Sequence, residues 1–150
     1  MTPRPAAQRR AATLVESAFV LSVLFFLLLA VVVGGYGVLR YQQLAMLARE
    51  GARYAAVHGG QYAQETGNAA ATADDVYKNA ILPYAVNLDP AQLSYTVSWD
   101  TDNMPNHTTS DYEKPTANTV TVKVSYAWLP EVYLIGPITL SSTSTMTMSY

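Results

Sequence analysis

Three groups of residues have types and spacings that could do chemistry. Glu16 is the first, a carboxylate set among Leu14, Val15, Ala18 and Phe19. An ionised carboxylate well inside a bilayer costs on the order of 2.5–3.5 kcal/mol. Either it sits at headgroup level near Arg9 and Arg10, or it has a designated cationic partner and assembly depends on the pair. The second group is Asp100-Thr101-Asp102-Asn103 with Asp111 and Glu113, oxygen ligands of the kind calcium takes. Pro105 falls where the EF-hand loop needs glycine, and Asp111 falls where it needs glutamate. A solvated acidic loop is the better reading. The third group is His58 and His107, the chain's two histidines. A Ser-His-Asp site needs one of them beside a nucleophile, and no G-x-S-x-G elbow is present. Both are read as exposed loop residues. Cysteine is absent, which removes disulfides, thiol catalysis and thiolate-bound metals. No catalytic, cofactor-binding or metal-ligating residue is assigned, and the chain is not read as an enzyme.

The element that must position Glu16 is the stretch from Ser17 to Leu39, which contains no charged residue. As a helix it is roughly 35 Å long, enough to cross a hydrocarbon core of roughly 30 Å. It carries no polar stripe at helical spacing, which a helix on a soluble protein's surface would show. It is therefore read as a transmembrane helix. A removable secretory signal is the rival. Its apolar region is normally about 7–15 residues long, shorter than this run, and Val33-Gly34-Gly35 makes only a fair cleavage site. Ala30 and Gly34 have the small-x-x-x-small spacing that lets helices approach closely in a membrane. Gly34, Gly35 and Gly37 also weaken the helix, so a bend and a packing face both stay open. Tyr36 and Tyr41 suit the outer interface, where the ring buries and the hydroxyl stays wet.

Charge is sorted along the 150 residues. All six arginines (Arg4, Arg9, Arg10, Arg40, Arg49 and Arg53) precede Tyr54, and from His58 onward three lysines face nine acids. Phosphate-backbone contact needs clustered cations, so the acidic C-terminal part is not read as binding nucleic acid. Met1–Arg10, with two prolines and three arginines, has nothing to pack and is expected to be disordered. Its cations, and its shortness ahead of one span, favour a cytoplasmic N-terminus and an extracytoplasmic C-terminal head.

Beyond the span the pattern turns amphipathic. Tyr41, Leu44, Leu47, Ala48, Gly51, Tyr54 and Ala55 recur at helical spacing, while Gln42, Arg49, Glu50 and Arg53 take the other side. The spacing predicts one helix from about Ala12 to Val57, stopping at Gly59-Gly60. Glu50 and Arg53 are placed to pair at its surface. Gln61–Ala71 reads as a loop. Thr72-Ala73-Asp74-Asp75 reads as a capped helix start, and Pro83 marks that helix's end or a kink. Three strands follow, around Leu93–Trp99, Val120–Trp128 and Ile138–Tyr150, each alternating apolar or aromatic residues with Ser and Thr. Polar alternates imply an antiparallel sheet with one wet face, the other resting on the amphipathic half of the long helix. Trp99 and Trp128 are both expected to be largely buried.

Two segments carry a family resemblance. Arg9-Arg10-Ala11-Ala12-Thr13-Leu14-Val15-Glu16-Ser17-Ala18-Phe19-Val20-Leu21 and, past the apolar run, Ala48-Arg49-Glu50-Gly51-Ala52-Arg53-Tyr54-Ala55 resemble the TadE-like family. These are minor pilins, or pseudopilins, of tight-adherence (Flp-type) pilus systems. The resemblance is close over residues 9 to 57 and loose in the last strand. It implies a prepilin peptidase cutting between Ala11 and Ala12, which makes Glu16 the fifth mature residue. It also implies that the new Ala12 amino group supplies a cation for the Glu16 of a neighbouring subunit. Ala11 departs from the usual glycine. Ser17 stands where major Flp pilins carry tyrosine, which fits a minor component. The implied setting is the bacterial inner membrane. The implied partners are other pilins or pseudopilins, the pilus assembly platform and the peptidase; the alternative is an uncleaved single-pass protein whose head binds a partner. The expected fold class is α+β and pilin-like. It comprises a basic leader (1–11), a transmembrane and amphipathic helix (12–57) and a head (58–150) with about three antiparallel strands.

Overall fold

The computed structural model describes residues 6–107, 116–130 and 136–149, with backbone alone for residues 6–12 and 107. The chain divides into two units, Met1–Val38 and Leu39–Tyr150. Helix α1 spans Ala6–Val57 and contributes to both. It starts at Ala6 and not near Ala12, so residues 6–10 of the stretch expected to be disordered are helical. Ala6, Ala7, Gln8, Arg9, Arg10 and Ala11 are all strong helix formers, and Pro5 directly precedes them. Within the first unit the helix is long and apolar enough to cross a membrane, and none of its most apolar window is buried.

In the second unit the fold is α+β. The last turns of α1 pack on a three-stranded antiparallel sheet of strands β1 (Leu93–Trp99), β4 (Thr119–Trp128) and β5 (Ile138–Thr147), in the order β1-β4-β5. This is the pilin-like arrangement expected. A two-residue pair, β2 (Asn106–His107) and β3 (Thr116–Ala117), lies apart from it. Register runs from Leu93↔Tyr126 to Trp99↔Val120 on one side of β4 and from Trp128↔Ile138 to Thr119↔Thr147 on the other. Alternation then sorts the faces. Val120, Val122, Val124, Tyr126 and Trp128 are buried, while Lys123 is exposed.

The α1 face over this sheet is built from small residues. Leu44, Leu47, Ala48, Gly51, Ala52, Ala55 and Ala56 are buried, whereas Tyr41 is exposed and Tyr54 half-buried. The two tyrosines expected on the face thus flank it, and Ala52 and Ala56 take their place. At Gly51 the close approach is explicit. A Cβ there would stand 3.1 Å from Val122 Cγ1 and 3.3 Å from Ile81 Cγ1. Arg53 donates to Glu50 at 2.8 Å on the outer side, as the spacing indicates.

Two short α-helices follow α1. Helix α2 (Gly60–Thr66) replaces the expected loop; its Gln61 side chain donates to Glu65 one turn on, at 2.8 Å. Gln, Ala and Glu sustain that turn where polarity alone suggested irregular chain. Helix α3 (Ala73–Val76) opens on a capping box. Thr72 Oγ1 accepts from Asp75 N–H, and Asp75 Oδ2 accepts from Thr72 N–H. The Thr72 hydroxyl, then its N–H, holds the Asp75 carboxyl below its ordinary value. Pro83 cannot donate to the carbonyl one turn back, and the preceding turn, Tyr77–Ile81, widens so that Leu82 N–H reaches the Tyr77 carbonyl.

Trp128 is buried as expected, but Trp99 is only half-buried. It ends edge strand β1, where a ring has neighbours on fewer sides. Trp128→Ala is expected to cost about 3–5 kcal/mol and Trp99→Ala distinctly less. Overpacking through Gly51→Val should cost about 1–3 kcal/mol. Gly34→Ala, with nothing within 4 Å of the added carbon, should leave the melting of the second unit unchanged. Thermal unfolding of the detergent-solubilised chain, followed by near-ultraviolet circular dichroism, checks all four.

Candidate functional site

The residues singled out for assembly lie on α1 and fall into two environments. Glu16 is exposed, with Leu14, Val15 and Phe19 each 72% exposed around it. Among the described residues no cation pairs with its carboxylate. The backbone at Ala11 and Ala12 is helical, and their side chains lie outside the description. Ala30 and Gly34 are exposed, and nothing approaches within 4 Å of where a Gly34 Cβ would stand. Leu44, Leu47, Ala48, Gly51 and Ala55, by contrast, are spent on the core of the second unit. The first unit therefore offers a helix surface with one acid near its start and a small-residue notch further on. Such a surface can bind lipid or other apolar helices, and a cation in reach of Glu16 would fix which helix and at what height.

The acidic loop is organised around a residue that sequence reasoning missed. Asn118, fully buried, donates through Nδ2 to the Asp102 carbonyl and to Asp102 Oδ1 (2.9 Å). Its Oδ1 accepts from the N–H groups of Thr101 (3.3 Å) and Thr119 (2.9 Å). Its backbone N–H bonds the Pro105 carbonyl, and its carbonyl accepts from Met148 N–H. Asp102 thus serves a structural network; Asp111 and Glu113 lie outside the described residues. The same loop holds the start of α2. Gly60 N–H donates to the Asn103 carbonyl, and a Cβ on Gly60 would collide with the Met104 sulfur. Asn103 Nδ2 donates to the Ala71 carbonyl at 3.1 Å. Ser149 N–H, from the chain's far end, reaches the Ala56 carbonyl at 3.0 Å. No periodicity marks Asn118, because one asparagine before a strand reads as turn.

His58 is half-buried, not an exposed loop residue. Its ring stacks on Tyr54 at 4.0 Å and meets Tyr62 at 4.8 Å, and Nδ1 donates to the Tyr54 carbonyl at 2.9 Å. The ring closes the last turn of α1 and also lines a cavity of about 170 Å³ with Glu50, Arg53, Tyr54, Asn79 and Tyr84 among its walls. The His107 side chain lies outside the described residues. At the β1 edge of the sheet's helix-facing side, Tyr77 stacks on Tyr95 at 4.4 Å, and the Tyr95 hydroxyl is pushed up, first by desolvation and then by nearby Asp74.

Removing the Asn118 side chain leaves buried donors and acceptors unpaired, each costing about 1–3 kcal/mol. Asn118→Ala should therefore lower the melting temperature and speed proteolysis near residues 100–105, while membrane insertion through residues 17–39 is unaffected. Limited proteolysis with mass mapping, beside alkaline extraction of membranes, reads both.

Residues 11–53 match the family model described as TadE-like protein. No curated protein and no solved structure matches the chain.

Proposed function

We propose, for a chain that is a member of the TadE-like family over residues 11–53, the role of a pseudopilin in building a tight-adherence pilus. One observation carries the reading. The matched segment is an apolar helix exposed along its whole span, continuing into turns that seat a pilin-like sheet. That combination suits a structural subunit held in the bacterial inner membrane by α1, with its N-terminus cytoplasmic and its head outside. In this reading a prepilin peptidase cuts between Ala11 and Ala12. The freed amine of one subunit then pairs with the Glu16 carboxylate of the next, and Ala30 with Gly34 gives neighbouring helices a close approach. Its partners are other pilins or pseudopilins and the assembly platform. The role is structural and requires no catalytic group.

The second reading, an uncleaved single-pass anchor, draws on the helical backbone through Ala11 and Ala12. A peptidase must unwind that turn before cutting it. Glu16→Gln separates the two. Under the pilin reading insertion and head folding persist but subunit association falls, by about 3–5 kcal/mol if the pair is buried. Ala11→Gly should raise the yield of a product beginning at Ala12. Crosslinking in membranes with N-terminal sequencing checks both. A product still beginning at Met1, with equal crosslinking for Glu16→Gln, would favour the uncleaved anchor.

A further inference from the structure

The second unit has an apolar end whose position along the chain says what covers it. Arg40 directly follows Leu39, the last residue of the apolar run. Whatever Arg40 touches therefore lies within one side chain's reach of the point where the run ends, at any angle between the two units. Arg40 Nη1 donates to the Asn87 carbonyl at 2.7 Å and to Gln43 at 3.2 Å, leaving Nη2 and Nε without a partner among the described residues. Asn87 has φ of 60°, a strained turn that this bond holds in place. The turn presents Val86, 63% exposed.

Arg40 also lines an open cavity of about 510 Å³ with Asp89, Trp128, Leu129 and Pro137 among its walls. Leu129 is 50% exposed, and Ile138, paired with Trp128 across the sheet, is 37% exposed. Val86 beside Asn87, Leu129 on the cavity wall and Ile138 next to Pro137 are thus exposed apolar side chains near a guanidinium whose Nη2 and Nε have no partner among the described residues.

We propose that this end of the head is a foot that rests on the outer-leaflet surface, with Arg40 holding a phospholipid phosphate. Val86, Leu129 and Ile138 enter the headgroup–acyl boundary beside it. The inference rests on the reading of α1 as a membrane span. Three features select a lipid surface over a second protein. The patch is covalently continuous with the apolar run. Its cation can hold a phosphate by charge, as a lysine there also would. Apolar side chains around such a cation match a boundary that is oily below and anionic above. The foot holds the head down in the membrane-resident subunit, and it must let go when the subunit is drawn into a fibre.

The chain carries its own probes. Its two tryptophans lie at opposite ends of the sheet. Trp128 is beside the cavity, and Trp99 pairs with Val120, about 26 Å away along β4 at ~3.3 Å per residue. The full chain is reconstituted in vesicles of phosphatidylethanolamine and phosphatidylglycerol doped with a headgroup spin-labelled lipid. Tryptophan emission is then read in Trp99→Phe and in Trp128→Phe. The proposal expects the label to quench Trp128 and leave Trp99 bright, at every protein-to-lipid ratio. Leu129→Asp and Val86→Asp should lose that quenching with the near-ultraviolet spectrum intact. Arg40→Gln should lose it and Arg40→Lys keep it. Equal quenching of both tryptophans, or of neither, overturns the foot. Quenching that appears only as protein is diluted in lipid shows that another copy covers the patch at higher density, and overturns it as well. Loss in Arg40→Lys as in Arg40→Gln assigns Arg40 to the Asn87 turn alone and overturns the phosphate contact. Chain that fails to float with vesicles after alkaline wash overturns the span reading and the foot together, whereas floating chain without selective quenching overturns only the foot.

Discussion

The second unit depends on how closely the backbone of α1 approaches strand β4. Gly51 allows it, with Val122 and Ile81 pressed where a side chain would begin, and the alanines at 48, 52, 55 and 56 extend the same shallow face. A helix that close can be served by valines, so Val120, Val122 and Val124 fill the space that leucines or aromatics fill in a wider interface. The cost is reach. Small residues bury little apolar area each, at about 25 cal/mol per Å², so this face alone is a thin core for about 110 residues. Hydrogen bonds at the unit's margin supply what the face does not. Asn118 ties the loop after β1 to the start of β4, and Ser149 ties the end of the last strand to α1.

The same helix solves the opposite problem before residue 39. There Leu, Val and Phe point every way and half or more of most of these side chains is exposed. Burying each is worth about 1.5–3 kcal/mol, so over such a run water is the wrong solvent by tens of kcal/mol. The covering must come from lipid or from other apolar helices. The apolar run ends at Arg40, where the first cation after it meets the Asn87 turn.

How much of this was legible in the sequence follows from which signals are periodic. The span, the amphipathic turns and all three strands of the sheet announce themselves by repetition, and the face each strand buries follows from which alternate is apolar. The Thr72 cap was legible because its partner sits at a fixed offset. Asn118, Gly60 and Ser149 were not, since each acts on a residue far away in sequence and looks locally like any polar or small loop residue. His58 misled for a related reason. Glycines behind it suggested a loop, but the next helix begins at Gly60 and supplies Tyr62 as a second wall. Trp99 misled because alternation gives the face of a strand and not its place in the sheet. Of the residues proposed for assembly, Glu16 was legible as an anomaly of charge, while the partner the proposed reading gives it belongs to another chain.

That anomaly decides what an apolar helix by itself cannot. A surface of Leu, Val and Phe is satisfied by many neighbours at many heights, because dispersion and apolar burial are non-directional. Sliding such a helix along its neighbour by one turn costs little. A carboxylate on an apolar helix changes this, since each register that leaves it unpaired carries the cost of an uncompensated charge, on the order of 2.5–3.5 kcal/mol where it is deepest. One paired register then stands apart from the rest, as a lone buried polar residue selects register in a coiled coil. On the proposed reading, Ala30 and Gly34 set how near a neighbouring helix comes, and Glu16 sets where along its length it stops. Closeness and height are separate quantities. On this reading they belong to separate residues, about four to five helical turns apart, so a change in one should leave the other measurable.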